Sequence, residues 1–165
     1  MTFEPRKSGC LFGKKFVFKT SNLSLMKKLI SLTSPIGTSD KNISFGLLIL
    51  RAATGLFMLI AHGWPKLAGF SEKSGGFSDP IGLGSPFSLS LAVFAEVICA
   101  LAVVLGVFTR VAAIPLVITM VVAAFIIHGD DPFAKKEFAL LYAIPFLTLV
   151  FTGAGKFSLD AKLGK

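Results

Sequence analysis

Four apolar runs separated by short polar stretches dominate the chain between residues 43 and 152. Residues 43–61 are nineteen in a row with Arg51 as the only charge, and residues 87–108 are twenty-two broken only by Glu96. Residues 111–127 and 138–152 carry no charge, and Pro145 lies inside the last run. Runs approaching 20 apolar residues suit helices crossing a hydrocarbon core about 30 Å thick. Within lipid each helix satisfies its own backbone, so the runs predict helices rather than strands. Only Thr109 and Arg110 separate the second run from the third, which predicts a tight helical hairpin. The pattern therefore predicts an all-α membrane protein, an antiparallel four-transmembrane-helix bundle.

The intervals add detail. A loop of about 25 residues is expected from His62 to Pro86, rich in Gly, Ser and Pro, with Trp64 and Pro65 at interfacial depth. Residues 1–42 mix lysines with Phe12, Phe16 and Phe18 and contain no continuous apolar core of the kind a secretory signal needs. They are expected to form a basic, disordered cytoplasmic tail, with Met26 as a second candidate start. Residues 43–155 form the membrane domain in this reading, and 156–165 a cytoplasmic C-terminal tail.

Composition agrees with the pattern: 53% of the 165 residues are hydrophobic and 16% charged, and the mean hydropathy is +0.77. The net charge of +8 does not indicate a nucleic-acid partner, because +6 of it falls in the first 42 residues and no nucleic-acid-binding motif accompanies it. Lysine and arginine counts give the orientation. With both termini cytoplasmic, twelve lie inside and four outside, with Arg51 between, which predicts an N-in, C-in membrane protein. Arg110, in the cytoplasmic turn, has a topological role here. Cys10 and Cys99 form no CxxC pair, so a dithiol redox reading has no anchor.

A guanidinium inside a bilayer costs roughly 2.5 kcal/mol or more, so Arg51 needs a partner. Counted from the cytoplasmic ends, Arg51 and Glu96 differ in depth by about 6 Å at 1.5 Å per residue, which predicts an Arg51–Glu96 ion pair. Such a pair either fixes helix register alone or lines a polar cavity for an anionic or quinone-like ligand, with Glu96 as candidate proton carrier. His62 and Lys66 would stand at the cavity mouth, and His128 and Glu137 reach the same non-cytoplasmic end, completing a candidate set of Arg51, His62, Lys66, Glu96, His128 and Glu137. Two interfacial histidines with no further signature do not carry a haem reading. Ligands drawn singly from different helices give no metal spacing, so no metal is assigned. The bilayer is the partner that composition establishes.

The stretches LLILRAATGLFMLIAHGWPKL, AEVICALAVVLGVFTRVA, IIHGDD and GAGKFSLDAKL, in that order over residues 43–163, resemble the DoxX family of small four-helix membrane proteins. The resemblance rests on Arg51, His62-Gly63-x-x-Lys66, Glu96, Gly106-x-x-x-Arg110, His128 and Gly155-x-x-Ser158-Leu159-Asp160. It implies association with membrane redox systems, such as a thiosulfate:quinone oxidoreductase or quinol oxidase subunit, or an assembly with superoxide dismutase and a sulfurtransferase. The resemblance thus implies an accessory or quinone-interacting subunit of a redox complex in a bacterial inner membrane. Its electron carrier would be a bound quinone or a partner's cofactor, since no cofactor ligand set is evident. The competing expectation is a non-enzymatic small-solute carrier or assembly factor that uses the same cavity.

Overall fold

The computed structural model describes residues 40–163, and the regular structure among them is entirely helical. The expected tail falls almost wholly outside the described residues, together with Met26, Cys10 and its phenylalanines. Helix α1 spans Asp40–Ala68, α2 Ser85–Leu105 and α3 Thr109–Ile127. These three are long and apolar enough to cross a membrane, with mean hydropathies of 2.0, 2.4 and 2.4. Helix α4, Phe133–Thr152, carries Lys135, Lys136 and Glu137 in its opening turns. Its uncharged part, residues 138–152, is about 22 Å long at 1.5 Å per residue, shorter than a full crossing. A one-turn helix, α5 (Leu159–Leu163), ends the described chain.

Helix α1 does not stop at residue 61. It runs through His62, Gly63, Trp64 and Pro65 to Ala68, correcting the expectation of a loop from His62 onward. A π-helical turn over Met58–Gly63 makes this possible. There the Trp64 N–H bonds the Leu59 carbonyl, five residues back, and the widened turn admits Pro65, which has no N–H to contribute. Two further π-helical turns occupy Phe94–Cys99 in α2 and Ala123–Ile127 in α3.

Small residues set the helix spacing. A Cβ on Gly55 would lie 2.6 Å from Val104 Cγ2 and 3.1 Å from the Ala100 carbonyl, and one on Gly63 would lie 2.8 Å from the Glu96 carbonyl carbon. Helices α1 and α2 therefore meet almost backbone to backbone. Met58, Val103, Leu116, Phe146 and Leu149 fill the core, whereas Phe57, Phe94, Phe125 and Phe151 are exposed. Large apolar side chains turned outward on successive helices are the surface that a lipid solvent selects.

The start of α1, the α2–α3 turn and the segment 153–163 gather at one end: Lys156 Nζ lies 3.0 Å from Asp40 Oδ2, and the Asp160 N–H bonds the Gly106 carbonyl at 2.8 Å. The α1–α2 loop and the α3–α4 turn mark the opposite end.

Candidate functional site

Polar chemistry falls into two separate clusters. At the first end, Arg51 is buried without touching Glu96. Its Nη1 donates to the carbonyls of Val103 and Val104, and its Nη2 donates to the Phe157 carbonyl at 2.5 Å. The first two belong to the last turn of α2, where helical N–H partners run out, although the Val103 carbonyl also accepts the Gly106 N–H at 3.1 Å. A cation there also suits the negative end of the helix dipole. Gly106 ends α2 in the left-handed region (φ 72°), leaving the guanidinium room that a side chain would fill, since a Cβ at Gly106 would lie 3.0 Å from Arg51 Cζ.

Asp160 performs the matching task at the start of α3. Its carboxylate accepts the Phe108 N–H at 2.7 Å, the Thr109 N–H at 3.0 Å and the Thr109 hydroxyl at 2.9 Å. Burial alone would raise the Asp160 carboxyl. The donors of Thr109 and Phe108, with the Arg51 charge behind them, outweigh burial and hold it below the ordinary aspartate value. Arg51 and Asp160 thus secure both sides of the α2–α3 turn.

The second cluster borders a cavity of about 410 Å³ toward the other end. Its walls are mostly apolar, from Leu91 and Ala92 on α2, Ile118 and Met120 on α3, and Phe138 and Ala139 on α4. Within them, Lys66 Nζ meets Glu96 Oε2 at 2.5 Å, with the Glu96 side chain only 3% exposed. The His62 ring stands edge-on to Tyr142, centroids 5.3 Å apart. Every π-helical turn contributes to the lining: His62 from the first, Glu96 from the second, Ala123 and Ile127 from the third. Such turns displace side chains from the regular helical stripe, and they recur at functional positions.

Two loop segments complete the walls. Phe77, Ser78, Pro80 and Ile81 border the cavity, and Asp79 between them accepts hydrogen bonds from the Leu83 and Gly84 N–H groups and the Ser88 hydroxyl at 3.1, 2.7 and 2.7 Å. The Ser88 bond, then that of Gly84, holds the Asp79 carboxyl below its usual value. In the α3–α4 turn, His128 lines the cavity and its Nδ1 lies 2.8 Å from Asp131 Oδ2. Lys135 holds the other Asp131 oxygen at 3.1 Å.

Of the six residues assigned to a cavity from sequence, His62, Lys66, Glu96 and His128 come together. Arg51 lies in the first cluster, and Glu137 is exposed on α4 outside the cavity lining. The predicted Arg51–Glu96 pair is corrected: Glu96 pairs with Lys66, and Arg51 with carbonyls. Arg51 sits level with Val103 and Val104, seven and eight residues beyond Glu96, or about 10–12 Å along the axis. Lys66 takes the place because α1 continues two turns past its expected end. Arg110 is exposed beside Gly153 in the turn. Sequence reasoning gave no role to Asp79, Asp131 or Ser88. The Ser-Asp-Pro and Gly-Asp-Asp-Pro strings were the only signal for the two aspartates, as turn formers, and Ser88 had none. Among the described residues, no three His, Cys, Asp or Glu side chains gather as a metal site.

The DoxX family model matches residues 46–129. The chain belongs to the DoxX family. The matched stretch carries Arg51, His62, Lys66, Glu96 and His128, while Tyr142 on α4 and Asp160 lie beyond it. Among proteins similar to this DoxX chain is an uncharacterized protein of Haemophilus influenzae, 36% identical over 116 residues, covering 66% of this chain and 84% of that protein. An uncharacterized membrane protein of Mycobacterium tuberculosis is 30% identical over 133 residues, 70% of this chain and 80% of its own length. A Bacillus subtilis protein named "Putative oxidoreductase CatD" is 30% identical over 122 residues, 73% of this chain and 89% of its own. No solved structure matches the chain.

Proposed function

We propose that this DoxX protein binds an uncharged, ring-bearing ligand of the quinone class in the cavity, as an accessory subunit of a membrane redox complex. All four long helices would cross the inner membrane as an antiparallel bundle, N-in and C-in, with the cavity toward the outer face. The observation that carries the ligand class is the charge pairing in the cavity wall: Lys66 is matched by Glu96, and Lys135 by Asp131. A buried anion needs a cation that is not already neutralised, which disfavours an oxoanion such as thiosulfate. A neutral ring instead gains from the apolar walls and finds hydrogen-bonding partners in Lys66, His62 and Tyr142. The name of the Bacillus subtilis relative supports a redox setting.

The test is direct binding to protein purified in mild detergent. A short-chain quinone should saturate a single site and be displaced by native quinone extracted from the membrane, while millimolar thiosulfate should neither bind nor compete. Saturable thiosulfate binding with no quinone binding would refute the ligand class. Loss of a quinone-dependent activity in membranes from a deletion strain would support the accessory role, and unchanged activity would favour a solute carrier.

A further inference from the structure

We propose that His128, oriented by Asp131, makes the cavity prefer the reduced, hydroxyl-bearing form of its ring ligand over the oxidised, carbonyl-bearing form. The inference deepens the ligand reading above and rests on it.

A quinone oxygen can only accept hydrogen bonds, whereas a quinol oxygen accepts and also donates through its O–H. Groups that donate serve both forms. The Lys66 ammonium has three N–H bonds and gives one to Glu96, so its remaining donors meet a carbonyl or a hydroxyl oxygen equally well. Redox-form selectivity therefore requires an acceptor in the wall that the ligand O–H can reach.

His128 supplies one. An ionised carboxylate accepts only, so the Asp131 contact at 2.8 Å places the imidazole proton on Nδ1. Neutral His128 then has a lone pair, and no proton, on Nε2. Asp131 is itself held ionised by the His128 hydrogen bond and by Lys135 on its other oxygen. The carboxylate is anchored on both oxygens, so it fixes the tautomer and limits rotation of the ring. This is the role carboxylates play behind the ligating histidines of metal sites. The His128 side chain is 38% exposed, which places it at the cavity rim, between the apolar interior and the loop surface.

Glu96 is a carboxylate of the cavity wall itself, with Oε2 taken by Lys66. Its contribution is separable by mutation.

The measurement is the ratio of dissociation constants for the oxidised and reduced forms of one short-chain quinone, with the reduced form kept under anaerobic dithionite. A net hydrogen bond present for only one form predicts about 5- to 10-fold tighter binding of the quinol by the unmodified protein. Asp131→Asn removes the obligatory acceptor and frees the tautomer, and His128→Phe keeps a ring but removes the nitrogen. Both should bring the ratio towards one, with helicity and micelle size unchanged. A merely structural effect would weaken both forms alike and leave the ratio in place, which would overturn the proposal. A ratio that collapses in Glu96→Gln but survives in the His128 and Asp131 variants would overturn it too. Equal binding of both forms by the unmodified protein would also overturn it but would leave the ligand reading intact. Failure of either form to bind would end both.

Discussion

Replacing Arg51 with methionine preserves a long apolar stem and removes the guanidinium. The Val103 carbonyl keeps the Gly106 N–H at 3.1 Å. Val104 and Phe157 lose the Arg51 donor and are left to whatever water reaches them. Two part-buried carbonyls stripped of a charged donor predict a loss of about 2–4 kcal/mol, offset somewhat because a buried cation no longer has to be desolvated. The loss should not depend on Glu96. Sites separated by roughly 10 Å with no shared partner are additive to within about 0.5 kcal/mol, so an Arg51→Met/Glu96→Gln cycle should close to that tolerance. The Lys66→Met/Glu96→Gln cycle should show coupling of about 1–3 kcal/mol, as expected of a hydrogen-bonded pair in direct contact. Reversible unfolding in mixed micelles, followed by helicity and by the fluorescence of the single Trp64, measures all of these. Coupling above about 1 kcal/mol between Arg51 and Glu96, or an Arg51→Met protein as stable as the parent, would refute the carbonyl clamp.

Asp160→Asn should destabilise the α2–α3 turn by about 1 kcal/mol, the usual cost of a weakened helix cap, seen as faster amide exchange at Phe108 and Thr109. Because the folded Asp160 carboxyl lies below its unfolded value, its contribution is complete above the ordinary aspartate range and is lost as pH falls through the folded value. The parent should therefore lose stability on acidification, while Asp160→Asn should show less of that slope. Gly106→Ala should destabilise strongly, since φ is 72° and the new Cβ would lie 2.6 Å from Ser158 Cβ. Gly46→Ala, with nothing within 4 Å, should be neutral or stabilising by up to about 1 kcal/mol; equal melting shifts for the two would contradict the geometry. Cys99, a buried free thiol, should resist maleimide in micelles and react fully once the protein is unfolded.

The helices were legible because uninterrupted apolar runs leave the backbone little alternative in lipid, and the placing of His62 and His128 at one end followed from their matched depths. Register was not legible. The string His62-Gly63-Trp64-Pro65 carries the marks of a helix end, and only the π-helical turn, which leaves no compositional trace, carries α1 through it. That extension moves Lys66 onto Glu96, and counting apolar runs from their ends left Arg51 about one turn from its true level. A cation in an apolar run seemed to demand a carboxylate, yet the end of a neighbouring helix offers carbonyl oxygens of equivalent use. Glu137 was misplaced for a different reason. The opening turns of α4 contain too few apolar positions to say which side faces the cavity.

The two clusters differ in what they leave available. Arg51 and Asp160 direct their hydrogen bonds largely to main-chain groups around the α2–α3 turn, and among the described residues Arg51 Nε is the one buried side-chain nitrogen or oxygen without a hydrogen-bond partner. Occupying main-chain valence in this way fixes helix ends and offers little to a ligand. At the other end the pairs are between side chains, and each retains capacity: further N–H bonds on Lys66, a second oxygen on Glu96, a ring nitrogen on His128. A ligand entering there need not break an existing bond to make a new one. Close contact of α1 with α2 at Gly55 and Gly63 then lets those spare valences converge on a single space. A mutation that loosens the clamp should accordingly weaken ligand binding only as far as it depletes the folded population. One at the partly exposed His128 should change binding while stability stays nearly constant.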